Sequence, residues 1–223
     1  MTLGMLCCPF PTSADKAEEI RKIFTFDQRA DNVFRATHLT TGAQQFDYTA
    51  YGGLVYAQAL AATETTVPAT LKPHSMHGIY MSAVNPGHPV DYTVRRLRDS
   101  RSFATRAVEA VQNGKTAFTM QASFHVVEPD SCVHQAASPS GVPAPEDCMD
   151  IHDDIALLLH EAEASPSTSD YTLLRLNYEL NKFHDGWLFD IRCTNSRGLL
   201  GHEEAPDTHY FWIRSRNVVE LEL

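Results

Sequence analysis

Three places in the sequence carry residue types that could do chemistry. The first is Gly52-Gly53 within "YGGLVYAQAL", residues 51–60, where two glycines open a helical pattern. Unpaired N–H groups at a helix start can hold a carbonyl or a developing oxyanion. Glycines let that group come close. Tight packing of the helix start on a sheet would ask for the same residues. The second place is His74 with His77. Residues three apart on a strand point to opposite faces, so the two do not share one ion and no metal is expected. His74 alone reads as a hydrogen-bonded core histidine or as a residue near a pocket. The third is "RRLRDSRSFATR", with Arg95, Arg96, Arg98, Arg101 and Arg106 and only Asp99 among them. Guanidinium groups suit phosphates. A solvated strand pair with cross-strand charges explains the cluster equally well. Arg98, Arg101 and Ser102, read as the loop between two strands, are its candidate contacts.

Other signatures are missing. There is no G-x-S-x-G elbow, P-loop, G-x-G-x-x-G or H-E-x-x-H, which argues against serine hydrolases, nucleotide-triphosphate enzymes and zincins. A formal net charge of −10 argues against general nucleic-acid binding. Five cysteines without framework spacing suggest a reduced, intracellular protein. No apolar run reaches membrane-spanning length. The N-terminal stretch lacks a secretory pattern, and "VVELEL" is not a peroxisomal tripeptide.

The elements that must position these residues read as follows. "SADKAEEIRKIF" predicts a first helix with Ser13 as N-cap. "NVFRATHL" predicts a short strand, and residues 54–66 a helix stopped by Pro68. Four strand patterns follow, around residues 74–84, 90–100, 102–112 and 115–127. Asn113-Gly114 predicts a type I′ hairpin turn between the last two. In the last strand Phe118, Met120, Ala122, Phe124 and Val126 alternate with polar residues and face a core. A long helix beside a curved, mostly antiparallel sheet makes an α+β layer arrangement. After Val127 a Pro-, Ser- and Ala-rich linker leads to "DDIALLLHEAEA" and "SDYTLLRLNYELNKF", two helical patterns. The strands "GWLFDIRC" and "THYFWIRSR" follow. Two strands cannot cover a helix, so this second unit reads as begun and not completed.

"YGGLVYAQALAATETTVP", "HSMHGIYMSAVNPGHPVDYTV", "LRDSRSFATRAVEAVQNGKTAFTMQASF" and "FDIRC…HYFWIRS" together resemble the type II acyl-CoA thioesterases, bacterial and peroxisomal. The resemblance runs from Val33 to Arg216. It implies a double hot-dog fold: a curved antiparallel sheet wrapped around a long central helix, twice. On that reading residues 1–32 are an N-terminal helix and lead-in, and 33–128 the first hot-dog repeat. Residues 129–170 are a linker with a short helix, and 171–223 the start of an incomplete second repeat. The family's Gly-Gly-Gln is Gly52-Gly53-Leu54 here.

The resemblance further implies hydrolysis of fatty acyl-CoA to free acid and CoA, without a cofactor. An aspartate, a Ser or Thr hydroxyl and a Gln amide would position water. Those residues belong to the second repeat, the aspartate to a "YxSDLxFL" segment that these 223 residues lack. The catalytic residues are therefore expected beyond Leu223, and the chain alone is expected to be inactive. The substrate-binding candidates are Gly52, Gly53, His74, Arg98, Arg101 and Ser102. The expected partners are acyl-CoA and either a second copy or a full-length paralogue, with no nucleic acid. Peroxisomal localisation follows from the resemblance, with the cytoplasm as alternative. A non-catalytic acyl-CoA binder is the competing function. A hot-dog dehydratase is a third, but it would need a catalytic His and an acid on the central helix, which carries only Glu64 near its end.

Overall fold

The computed structural model describes residues 18, 20–40, 49–137, 139–182, 189–204 and 207–215. Ser13, Cys7, Cys8 and the "VVELEL" end lie outside them. The chain divides into two compact units, one spanning Glu18–His134 and the other beginning at Gln135.

The first unit is a six-stranded antiparallel sheet with one long helix. Its strands are β1 (Asp27–Ala30), β2 (Val33–Ala36), β3 (Leu71–Tyr80), β4 (Val90–Asp99), β5 (Phe103–Gln112) and β6 (Lys115–Val126), in the order β1-β2-β4-β5-β6-β3. The helix α1 (Gly52–Glu64) lies across β4, β5 and β6. Its buried residues, Leu54, Val55, Gln58, Ala59, Ala62 and Thr63, recur every three to four positions, the stripe of a helix pressed on one surface. Alanines within that stripe let the axis sit close to the sheet. The apolar face of β6 meets it as the alternation predicts, with Phe118, Met120, Ala122 and Phe124 all buried. Asn113 (φ 51°) and Gly114 (φ 75°) close the β5–β6 hairpin in the left-handed region, as a type I′ turn requires.

Two irregularities re-aim side chains. The β3–β6 register shifts between Pro73 and Ser75, leaving His74 as the extra residue of a bulge. The β4–β5 register shifts between Arg96 and Arg98, so Leu97 is bulged there. Strand β1 falls in the stretch read as lead-in. All four of its residues are exposed, so no alternation announced it.

The second unit contains α2 (Ile151–Ala164), α3 (Asp170–Lys182), a β7 (Phe189–Cys193) to β8 (Phe211–Ser215) antiparallel pair and a short α4 (Ser196–Leu199). Asp150 caps α2 by accepting from the His152 N–H. Ile151, Ile155, Leu158, Leu176 and Leu200 form its small core. No described helix is long and apolar enough to cross a membrane.

Candidate functional site

The start of α1 is held from two sides. The Ala50 N–H donates to the Val84 carbonyl (2.7 Å) and the Tyr51 N–H to that of Thr40 (2.8 Å). Tyr51 occupies the N-cap in an extended conformation, and its side chain makes no capping bond. The N–H groups at the helix start thus gain nothing from a cap side chain. Beside them opens a cavity of about 370 Å³, walled by Thr49, Gly52, Val55, Tyr80, Ser82 and Val84 among others. Cavities of this size take small-molecule ligands. Among the described residues its wall carries three hydroxyls and no carboxylate.

Tyrosine rings fill the space the two glycines leave. A Cβ on Gly52 would lie 3.3–3.4 Å from Tyr80, whose phenol donates to the Gly52 carbonyl at 2.6 Å. A Cβ on Gly53 would lie 2.7 Å from the Tyr51 ring, closer than real side chains approach. Gly78, on the inward face of β3, is as constrained, with Phe118 and Tyr56 at 2.6–2.8 Å from its would-be Cβ. Burial, with Tyr56 and Tyr51 adding to it, pushes the Tyr80 phenol up, so its hydroxyl stays a neutral donor at physiological pH.

Gln58 anchors the helix from within. Its amide donates to the carbonyls of Ile23 (2.7 Å) and His38 (3.0 Å), and its oxygen accepts from the buried Tyr92 phenol (2.9 Å). Burial pushes Tyr92 up as well, so it remains a donor. A lone amide in an apolar stripe was the only sequence signal of this role.

The six sequence candidates fall into two groups at opposite ends of the sheet. Gly52 borders the cavity, and Gly53 follows it in the first turn of α1 without lining it. His74, Arg98, Arg101 and Ser102 belong to the other end, about 20 Å away along a thirteen-residue helix. His74 is not a core residue. It is exposed on the outer face, with its Nε2 at 2.9 Å from Ser123 Oγ and its ring against Phe103 and His125. The bulge also overturns the opposite-face expectation. His77 pairs with Gln121, on the same outward face as Ser123, so both histidines lie outside. Among the described residues no group of three or more His, Cys, Asp or Glu is placed to hold a metal ion.

The arginine cluster also separates. Arg98 lies in β4 opposite Thr105 rather than in a loop, and only Arg101 and Ser102 occupy the turn. The Ser100 N–H and hydroxyl both donate to the Phe103 carbonyl and close that turn. Arg106 leaves the anion reading altogether, because it is wholly buried. Its guanidinium donates to the Thr66 hydroxyl and carbonyl, to the carbonyls of Arg98 and Thr105, and to Asp99 at 2.6 Å. It ties the segment after α1 to the β4–β5 pair. A larger cavity of about 650 Å³ lies near this end, bordered by Phe26, Asn32, Phe34, Thr66 and Arg96, but none of the six candidates lines it.

With this geometry in place, three comparisons are informative. Residues 40–125 match the family model of the acyl-CoA thioesterase N-terminal domain. Acyl-coenzyme A thioesterase 8 of Mus musculus is 30% identical over 202 residues, which cover 90% of this chain and 59% of that protein. Acyl-CoA thioesterase 2 of Haemophilus influenzae is 28% identical, covering 86% and 61%. The chain thus spans about three fifths of the length of these curated relatives. Among solved structures, acyl-CoA thioesterase II TesB2 from Mycobacterium marinum aligns with a TM-score of 0.58 at 26% identity, covering 89% of this chain and 60% of that one. A hot dog protein of unknown function from Alicyclobacillus acidocaldarius aligns with a TM-score of 0.59 at 16% identity, covering 87% and 61%, a likeness of fold alone.

Proposed function

From residue 40 to residue 125 the chain belongs to the acyl-CoA thioesterase family, and on that premise we propose that its first unit binds a fatty acyl-CoA thioester at the start of α1 for hydrolysis to free acid and CoA. The observation that carries this is the cavity beside Gly52, open to the helix N-terminus and walled by hydroxyls. A thioester carbonyl seated there would face the backbone N–H groups of Gly52 and Gly53, since those of Leu54 and Val55 donate to the Tyr51 carbonyl, and such donors suit the oxyanion formed on attack by water. The described wall residues supply no carboxylate, so on this reading they orient the thioester and the base that takes the proton from water comes from elsewhere. We place the general base in a segment of the "YxSDLxFL" kind, which these 223 residues do not contain. The chain by itself should therefore bind acyl-CoA and not turn it over.

The test is release of free thiol from octanoyl- and palmitoyl-CoA, followed alongside direct binding of the same compounds. Binding without thiol release is the expected result. Turnover at enzymatic rates would overturn the assignment of the base. Absence of binding would overturn the site. We further propose that the chain self-associates, supported by the edge position of the ten-residue β3 among the described strands.

A further inference from the structure

We propose that the open cleft of about 650 Å³ beyond the C-terminal end of α1 binds a carboxylate carried on an apolar body, with Arg96 receiving the carboxylate. The cleft is separate from the cavity at the start of the helix, and the assignment does not depend on the acyl-CoA reading.

Arg96 reaches the cleft through its place in β4. Tyr92, Val94 and Arg96 alternate on the inward face, and the first two are buried. The helix ends at Glu64, and Arg96, the third place in that row, is exposed. Its partner across the β4–β5 ladder is Arg106. The two guanidinium groups are used differently. Arg106 spends all five N–H groups, on Thr66, Arg98, Thr105 and Asp99. Arg96 donates from Nε, to the Asn32 side-chain oxygen at 3.1 Å. Among the described residues its two terminal nitrogens donate to nothing. Asn32 is itself fixed in the β1–β2 turn, with φ at 59° and its carbonyl accepting from the Val94 N–H at 2.8 Å. The guanidinium is thus held at one edge and presents its end, which can grip a carboxylate through two parallel bonds. Like charges placed opposite each other on a ladder repel, and an anion at Arg96 relieves that repulsion.

The rest of the wall suits an apolar body. Phe24, Phe26 and Phe34 line the cleft. Phe26 lies edge-on to Phe34 (6.3 Å) and to Tyr92 (6.0 Å), so this side is anchored to the core. A helix C-terminus attracts cations through its free carbonyls. Here the carbonyls of Ala61, Ala62, Thr63 and Glu64 already accept from Thr65, Thr66 and Val67. Asp31 is the one acid among the described wall residues, exposed in the β1–β2 turn and not paired with Arg96. It opposes an anion, so its removal should strengthen the site.

A free fatty acid and an arylalkanoic acid share this chemistry. Calorimetric titration with octanoate, 4-phenylbutanoate, octanol and octyltrimethylammonium separates the cases. The better carboxylate should bind about tenfold more tightly than octanol, the worth of a paired charge-assisted contact. Octanoate ahead assigns a fatty acid, 4-phenylbutanoate ahead an arylalkanoic acid, and either supports the site. Arg96→Gln, at an exposed position that leaves the fold intact, should weaken the carboxylate about tenfold and leave octanol unchanged. Asn32→Gly keeps the left-handed turn and removes the Nε anchor, and should weaken it about threefold. Asp31→Asn should tighten it about twofold. Carboxylate binding that ignores Arg96→Gln belongs to the other cavity and would overturn the assignment. Preference for octyltrimethylammonium would overturn it too, giving the cleft to Asp31.

Discussion

Arg106 shows how a residue type can mislead at the scale of one side chain. In sequence it is one of five clustered arginines, and in the fold its charge is enclosed and directed at Thr66, Asp99 and two strand carbonyls. Arg106→Met should lower stability by about 3 kcal/mol in urea unfolding, because it strands buried acceptors. Arg106→Lys should not rescue it, since an ammonium cannot span the same fork of acceptors. Two carboxylates should move stability with pH in opposite senses. The hydrogen bond from Arg35 holds Asp91 below the usual carboxylate range, with Arg35 Nε and Nη2 both at 2.7 Å. Its contribution is present above the unfolded pKa and is lost as pH falls through the lower folded value. Asp91→Asn should therefore cost up to about 1 kcal/mol at pH 7 and almost nothing in acid, the pair being partly exposed. Burial pushes Glu64 up, with Lys72 opposing. Its stabilising state is the protonated one, complete below the unfolded pKa and lost as pH rises through the higher folded value. Glu64→Gln should raise the urea midpoint at pH 7, and the gain should shrink toward pH 4.

At the scale of elements, the sequence was most legible where one period ran unbroken. Strand β6, the Asn113-Gly114 turn and the helix before Pro68 came from alternation, turn chemistry and a breaker. Strand β1 was not legible, since a fully exposed four-residue strand has no apolar face to announce it. Both bulges were hidden for a related reason. Alternation fixes which face a residue takes only until an extra residue intervenes, so the faces of His74 and His77 were misread by that omission. The glycine pair was visible, but the ring that lies on Gly52 comes from Tyr80, on a strand that ends some thirty residues later. Strand β3 carries the clearest consequence at this scale. It is a ten-residue edge with Ile79 54% exposed, the arrangement that pairs with other chains. Sedimentation velocity should show concentration-dependent association, and Ile79→Lys should shift it toward monomer. A concentration-independent monomer without the substitution would rule out the edge as an association site.

At the scale of the whole molecule, two cores are joined by a stretch poor in regular structure. Residues 129–137 and 139–144 are described without helix or strand and are almost all exposed. Backbone of this kind is where proteases cut first. Limited digestion with a glutamate-specific protease should cleave after Glu128 and leave a resistant product that contains β1 to β6. Early cleavage within the sheet strands instead would contradict the division into units. The acidic surplus read from composition also has a location. Acidic residues outnumber basic ones in the second unit, whereas in residues 18–134 lysines and arginines together equal the aspartates and glutamates. The whole-chain charge was therefore a poor guide to the unit that carries the candidate site.

The extra residue at His74 behaves like a dislocation in a crystal lattice. Leu71 and Tyr80 are nine positions apart, an odd number, yet both point inward, opposite Val126 and Phe118. In an unbroken ladder one of the two would face out. Deleting His74 would leave the two eight positions apart, an even number, and an unbroken ladder would then keep both inward. Flattening the bulge at full length is what forces a choice: either Leu71 leaves the core, or Tyr80 leaves the helix start and His77 and Ile79 take the inward places. One unpaired residue thus sets the parity of the whole strand.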